Sequence, residues 1–552
     1  TVAAPVADPT WDALGQTTQY NFDAQGRLVG LRQPDGATQR YEWDGEGNLV
    51  ATTDPLGQTT RWRYNGAGEV LDRTDALGLS ITYHHDSAGR LVSLVNEAGA
   101  ATRFEYDLVD RLTDEIGFDG RHQRYCYNAA GELTHLIERG GSAFGPGKVT
   151  HFERDALGRL IAKRHEGGAE YEEPSTDDTA IGDELEADAQ QSSCDARYAY
   201  DALGRLTQAA NAASTVEFAY DPLGQLVREV QHLRLPAGLD TAATSANALR
   251  KSFAFTHQYD PLGNRTATRL PDGRTLNQLY YGPGHLHQIN LDGQVVSDFE
   301  RDALHREVSR TQGQLSSAFA YDPAGRMVAQ RVTRGGVGGP DLSGLAPTSD
   351  MSANMSGLIE RRYAYDAAGQ LRQWLDRDRG LTRYGYDAIG RIVQSQIGLH
   401  PPATASGASA TVAGRAGTPV NSSVARRIPV TTEQFHWDAA SNPVPAPSPG
   451  LAVVPVPGNR LTVWQDERYR YDVHGNLIER LQGKRGSAAQ TLTVLRWDAA
   501  HQLTQATVQR GALESGAITT QTYRYAYDAL GRRVAKVDAF GATAFAWDGD
   551  RM

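Results

Sequence analysis

The chain has 552 residues, with 55 Lys plus Arg against 66 Asp plus Glu; the net charge of −11 disfavours a general phosphate-binding surface, and with it nucleic acid as a partner. Two cysteines, Cys126 and Cys194, exclude a disulfide framework and a four-cysteine zinc centre, and no apolar run approaches the roughly 18–20 residues that a membrane helix needs. Glycine at 57 of 552 exceeds the usual level of about 7% while proline at 24 is ordinary, so turns are frequent and an all-β chain is expected.

The opening residues Thr1-Val2-Ala3-Ala4-Pro5 carry neither an initiator Met nor a signal-peptide pattern, which suggests a fragment or a processed product. From there a period is plain: Phe22-Asp23 to Gly26-Arg27-Leu28 is repeated at Trp43-Asp44 to Gly47-Asn48-Leu49, and Asp23, Asp44, Asn65, Asp86, Asp107 and Asn128 stand 21 apart. Later copies begin at Asp201, Asp221, Asp260, Asp322, Asp366, Asp387, Asp472, Asp498 and Asp528. Weaker turn signals lie half a period on, at Pro34-Asp35-Gly36, Asp54-Pro55-Leu56-Gly57, Asp75-Ala76-Leu77-Gly78 and Asn96-Glu97-Ala98-Gly99. Each period therefore holds two turns and two strands.

Asp or Asn accepts from backbone amides ahead of it and Gly supplies positive φ, so Asp-x-x-Gly predicts a type I turn closing into a glycine bulge, the signature of a β-hairpin. Before the turn, Tyr198 and Tyr200, Tyr363 and Tyr365, and Tyr523, Tyr525 and Tyr527 are spaced by two, which places their rings on one sheet face as ladders. About 20 repeats of two strands make about 40 strands, a ribbon about 190 Å wide at about 4.8 Å per strand. Twist coils a sheet of that width, so the expected architecture is a large spiral sheet forming a hollow shell.

The whole chain, 1–552, reads as one continuous repeat array with four excursions: an acidic loop at 163–197, a Gly/Ser/Pro-rich loop at 331–360, a low-complexity loop at 398–434 and a Pro-rich loop at 443–459. These are expected to leave the wall as solvated segments.

No residue is assigned as catalytic, cofactor-binding or metal-binding. Asp-x-x-Gly spacing follows from turn geometry alone, and nothing singles out a carboxylate pair for hydrolysis. His285 and His287 share a strand face but lack a third ligand with characteristic spacing, and His84 and His85 point to opposite faces. Gly145-Pro146-Gly147-Lys148 is followed by Val149 where a phosphate loop needs Ser or Thr, and Cys126 sits inside the repetitive Tyr125-Cys126-Tyr127. No cofactor is expected.

The tandem motif, as in Tyr200-Asp201-Ala202-Leu203-Gly204-Arg205-Leu206, resembles the Rhs/YD-repeat family of bacterial Rhs toxins, insecticidal toxin complex C components and teneurins, over nearly the whole chain. The closing stretch Phe545-Ala546-Trp547-Asp548-Gly549-Asp550-Arg551-Met552 is similar to a segment of the branch linked to type VI secretion. The resemblance implies a β-cocoon of tandem hairpins made in the bacterial cytoplasm, then secreted or delivered to target cells. Its implied partners are a C-terminal toxin segment held as cargo, a secretion spike and chaperone proteins. The N-terminal cap and the C-terminal cleavage and toxin regions of the family have no counterpart within these residues. The implied role is structural encapsulation without chemistry of its own. The alternatives are a carbohydrate-binding adhesion module on the aromatic ladders, a C component of an insecticidal toxin complex, and an enzyme with an unrecognised site.

Overall fold

The computed structural model describes residues 10–140, 147–167, 195–235, 249–334, 358–399, 430–447, 453–484, 487, 489–512 and 517–552. Of the expected excursions, the central parts of the loops at 163–197, 331–360, 398–434 and 443–459 lie outside the described residues, as do Cys194 and Gly145-Pro146. Among the described residues the chain forms 42 strands and one short 3-10 turn, Pro457–Asn459, in keeping with the all-β expectation.

Strand Thr17–Phe22 pairs antiparallel with Leu28–Arg32, and the register slips by one residue between Asn21 and Phe22, next to the turn. The same slip precedes the turn at Trp43, Tyr64, His85, Tyr106 and Tyr127. It is the bulge that the motif predicts: Asp23 donates its N–H to the Arg27 carbonyl at 2.9 Å, Gly26 donates to the Asp23 carbonyl at 3.1 Å, and Gly26 sits at φ +80°. Half-period turns close similarly; Gln33 N–H donates to the Ala37 carbonyl at 2.9 Å, and Leu28–Arg32 then pairs with Thr38–Trp43.

Contacts divide the chain into two units: 1–81, 277–437 and 446–451 in the first, and 82–276, 438–445 and 452–552 in the second. In the first, consecutive strands pair from Thr10–Trp11 to Val70–Thr74 and again from His285–Leu291 to Thr431–Gln434. The second holds a like ladder from Leu91–Val95 to Arg265–Arg269, and an eight-stranded sheet from Val463–Trp464 to Gly541–Ala544.

Apolar burial is spread thin. The clusters of fully buried residues are small: Leu233, Val534 and Ala535 with Phe253 and Trp547 packed against them, Ala318 with Ala329, and Leu375 with Leu381. Burial on that scale does not hold such a chain alone, so ladder hydrogen bonds and the polar contacts at the turns carry much of the cohesion.

Candidate functional site

The most repeated constellation of side chains is the turn itself. In the Asp107 turn, Oδ1 accepts from the N–H groups of Val109 and Arg111, both at 3.0 Å, and Oδ2 accepts from Arg111 Nε at 2.6 Å. Arg111 then reaches the next repeat: Nη1 donates to the Asn128 carbonyl at 3.2 Å, and the guanidinium lies 4.8 Å over the Tyr127 ring. Tyr127 returns the contact, its hydroxyl donating to the Leu112 carbonyl at 2.8 Å. The Tyr, Asp and Arg of the motif thereby each have a task, with Asp110 in the glycine place at φ +64°, and together they form a clip between consecutive repeats. Arg90 with Tyr106, and Arg205 with Tyr220, repeat it.

The clip admits three complementary pairs. Asp with Arg is the commonest; Asp44 with Asn48, Asp260 with Asn264 and Asp472 with Asn476 keep the carboxylate and replace the guanidinium by an amide. Where the first position is Asn, the partner becomes Glu: Asn65 Nδ2 donates to Glu69 at 2.6 Å and Asn128 Nδ2 donates to Glu132 at 2.8 Å. Donor and acceptor exchange ends and the bond is kept. Hydrogen bonds and charge at the clip also set titration: Arg90, followed by backbone N–H groups, holds Asp86 below the usual carboxylate range, and Arg159 does the same for Asp155.

The clip also spans the excursions. Arg159 donates to the Asp201 carbonyl at 3.1 Å and Tyr200 to the Leu160 carbonyl at 2.9 Å, so the repeat resumes in register beyond residue 194. Arg326 with Asp366 and Tyr365 with Met327 do so past residue 357, and Trp437 with Ile392 past residue 429.

A second constellation joins turns far apart in sequence. Within the first unit, Arg326 of a motif turn pairs with Asp35 of a half-period turn at 2.8 Å. Within the second unit the same kind of meeting recurs: Arg460 pairs with Asp119 at 3.0 Å, His501 faces Glu138 at 3.3 Å, and Tyr198 donates to the Ala529 carbonyl at 2.9 Å. There Asp548 meets Arg265 at 2.6 Å, while Gln231 accepts from the Trp547 N–H at 3.0 Å. Sequence reasoning missed this seam.

Lys148 is buried at the start of strand Lys148–Arg154, opposite Glu138 and Gly167, so that position belongs to a ladder. Cys126 stands opposite His135 across a strand pair, and its carbonyl accepts from Thr134. His84 and His85 end strand Ser80–His85, with His85 in the motif's aromatic place. His287 Nδ1 lies 3.0 Å from the Phe299 carbonyl. His285 gains a neighbour that sequence spacing did not disclose: His305 stacks on it at 3.6 Å and 13°. His305 occupies the glycine place of the Asp302 turn at φ +60°, which was the available signal. Face-to-face rings send their in-plane lone pairs side by side instead of toward one ion, and no group of three metal-ligating residues is found among the described residues. Of the tyrosine ladders the turn-side rings serve the clips: Tyr200, Tyr365 and Tyr527 donate to the carbonyls of Leu160, Met327 and Leu503, and Arg159 and Arg326 lie over Tyr200 and Tyr365, whereas Tyr523 bonds the Gln521 side chain. No helix of the described residues is long and apolar enough to cross a membrane.

The family described as RHS Repeat matches residues 10–38, 43–80, 64–101, 85–122, 200–238 and 365–397. Among curated proteins, Double-stranded DNA deaminase toxin A of Burkholderia cenocepacia is 37% identical over 308 residues, covering 53% of this chain and 17% of that protein. Toxin protein Tse5 of Pseudomonas aeruginosa is 34% identical over 370 residues, covering 64% of this chain and 24% of that protein. Probable deoxyribonuclease RhsB of Dickeya dadantii is 28% identical, covering 54% of this chain and 18% of that protein. The chain thus spans a quarter or less of the length of these relatives. Among solved structures, the TcdB2-TccC3-Cdc42 crystal structure superposes over 97% of this chain and 28% of its own with a TM-score of 0.63 at 12% identity, a likeness of fold. The Photorhabdus luminescens Tc holotoxin pore matches 96% of this chain and 27% of its own, with a TM-score of 0.61 at 13% identity.

Proposed function

The chain belongs to the Rhs/YD-repeat family, and from that premise we propose that it forms the wall of an encapsulating shell in a bacterial Rhs polymorphic toxin. The observation that carries this reading is the clip: repeat after repeat is tied to the next through turn side chains, including across excursions, which suits a continuous barrier. The wall would run through 1–552 and would include the strands that flank the expected excursions, Leu160–Gly167, Met327–Arg334, Ile392–Leu399 and Thr431–Gln434, which pair in the ladder. It would enclose a C-terminal effector, shield the producing cell, and travel from the bacterial cytoplasm to competitors, by type VI secretion, with a spike and chaperones as partners.

The relatives support a container over a chemical role. Their names point to different activities, a DNA deaminase and a deoxyribonuclease among them, while the segments of this chain that match a family are repeats. Variable chemistry on a shared wall is the arrangement expected when the wall handles cargo generically. The likeness to TccC3-containing structures favours, as a second reading, a C component of an insecticidal toxin complex. Adhesion through the tyrosine ladders is less favoured, because the turn-side tyrosine of each ladder, Tyr200, Tyr365 or Tyr527, already serves a clip.

Intact-mass spectrometry of the complete gene product under denaturing conditions, compared with its native gel-filtration mass, tests the reading. A separate C-terminal polypeptide that co-purifies natively and appears alone only on denaturation supports a loaded shell. One uncleaved species with nothing retained, or an extended rod without a cavity in electron micrographs, overturns it.

A further inference from the structure

The seam has a polarity. In each unit a half-period turn of an earlier strand pair meets a motif turn of a later one: Asp35 with Arg326 in the first, and in the second Arg121 with the His474 carbonyl and Asn211 with the Tyr527 carbonyl. The motif tips that dock are small or apolar, Ala388-Ile389 and Ala529 among them, and Val473 stands where a Cβ on Gly140 would have to be. Two docked clip arginines also take a carboxylate from the opposite element, Arg326 from Asp35 and Arg532 from Glu229.

One motif rim of the second unit has the same chemistry and no such neighbour among the described residues. Strands from Lys148–Arg154 to Arg265–Arg269 pair consecutively, so their motif turns line one edge of the ladder, two strands or about 9.6 Å apart. The tips read Ala156-Leu157, Ala202-Leu203, Pro222-Leu223 and Pro261-Leu262, without a charge, and the four leucines are 65–83% exposed. An uncovered apolar stripe of this kind marks an interaction surface. Beside it Arg159 and Arg205 bond their own aspartate and the next repeat's carbonyl, as Arg326 does, but among the described residues no carboxylate from another element joins them.

The matching surface is a row of half-period turns that carries a carboxylate, and the same unit holds one. The eight-stranded sheet, Val463–Trp464 to Gly541–Ala544, docks by its motif turns and leaves its half-period turns on the opposite edge. There Asp466 is exposed and Phe540 is 95% exposed. Their turns lie six strands apart, as do those of Leu157 and Leu262, so each row is about 29 Å long. Because the seam runs between the two layers, these free rims face away from each other within one unit, and one copy cannot close the contact on itself.

We propose that copies of this chain associate head to tail, the half-period rim of one eight-stranded sheet docking on the leucine rim of the next copy. In the order that the seam already uses, Asp466 comes to the Arg159 clip and Phe540 to Leu262. Such a contact is heterologous, so it propagates instead of closing at two copies. It needs no cargo and stands apart from the wall function.

Sedimentation velocity on the purified chain, from about 1 to about 100 µM, is the test. The expected result is a mass that climbs with concentration through the dimer and beyond, at about 10 µM for each contact. Leu203→Ser with Leu223→Ser, or Asp466→Asn with Phe540→Ser, weakens association about tenfold or more at unchanged thermal midpoint, since all four side chains stand in solvent. Leu223→Gln alone, the mildest change, must weaken it too should a double variant fold poorly. Mixing the two double variants restores one contact, because each keeps the rim that the other has lost, and the mixture stops at the dimer. A chain that stays monomeric at about 100 µM overturns the proposal, as does a parent chain that stops at the dimer. Self-association of the Phe540 variant at parent strength, the result if leucine rims met each other, overturns it as well, and so does failure of the mixture to pair.

Discussion

The exchange of donor and acceptor in the clip makes a sharp prediction at Asn128. Asn128 Oδ1 accepts from the N–H groups of Ala130 and Glu132, which fixes Nδ2 on the side of Glu132, 2.8 Å from Oε2. Asn128→Asp keeps the turn bonds and sets a carboxylate against a carboxylate. Glu132 would swing away, losing a hydrogen bond worth about 1 kcal/mol. At about 5 Å, two like charges still repel by about 1–3 kcal/mol for an effective dielectric constant between about 80 and 20. Partial exposure favours the lower end, so the expected loss is about 2 kcal/mol. Glu132→Arg added to it recreates the pair seen one repeat earlier at Asp107 and Arg111, and should recover most of that loss. Urea unfolding together with hydrogen exchange across His122–Arg139 reads both, and with Glu132→Arg alone the four proteins form a double-mutant cycle. A coupling of about 1 kcal/mol or more is expected. Equal stability of N128D and the parent chain, or no recovery on adding Glu132→Arg, would refute the complementarity argument.

Three further outcomes follow from the same geometry. Tyr127→Phe removes a 2.8 Å bond to the Leu112 carbonyl and should cost about 1 kcal/mol, seen as faster exchange in the flanking strands. Gly204 sits at φ +81° with nothing near a would-be Cβ, so Gly204→Ala should cost about 1–2 kcal/mol through backbone conformation alone, measurable by urea titration. The third concerns pH. Burial, with help from Lys163, lowers His165 from 6.5 to about 4, so the unfolded chain takes the proton first; stability is lost as pH falls from about 6.5 to about 4, and His165→Asn should flatten that stretch of the profile. Below it, the depressed carboxylates of Asp86 and Asp155 add a second loss, beginning as pH falls past the ordinary value of 3.8 and completed below their folded values.

Much of this fold was legible because its information is local. Asp23 to Gly26 fixes a turn, a bulge and a change of direction within a few residues, and recurrence at 21 does the rest. The clip was equally present in the sequence, since Asn65 with Glu69 and Asn128 with Glu132 break the Asp–Arg rule in step, but seeing it required knowing that the fourth residue folds back on the first. His305 was legible in principle as a non-glycine in a glycine place; its stacking on His285 depends on how neighbouring hairpins lie side by side. The seam was beyond reach. Arg326 and Asp35 stand 291 residues apart, and their meeting depends on small twists accumulated over many strands, which no window of sequence records.

The bonds passed from one repeat to the next end on main-chain carbonyls: Arg27 on that of Asp44, Arg205 on that of Asp221, Tyr106 on that of Leu91. A carbonyl is present whatever the side chain, so beyond an aromatic residue to lie under the guanidinium and to donate back, a repeat makes little demand on the identity of its successor. The donor–acceptor matching of side chains is concentrated inside a turn, where both partners are four residues apart and are copied together. Unequal crossing-over could therefore duplicate, delete or transplant whole hairpins without breaking a matched pair, and the array would lengthen or shorten in steps while each junction remained sound. In that sense the chain is built from interchangeable parts, and its present length is one of many that the same grammar permits.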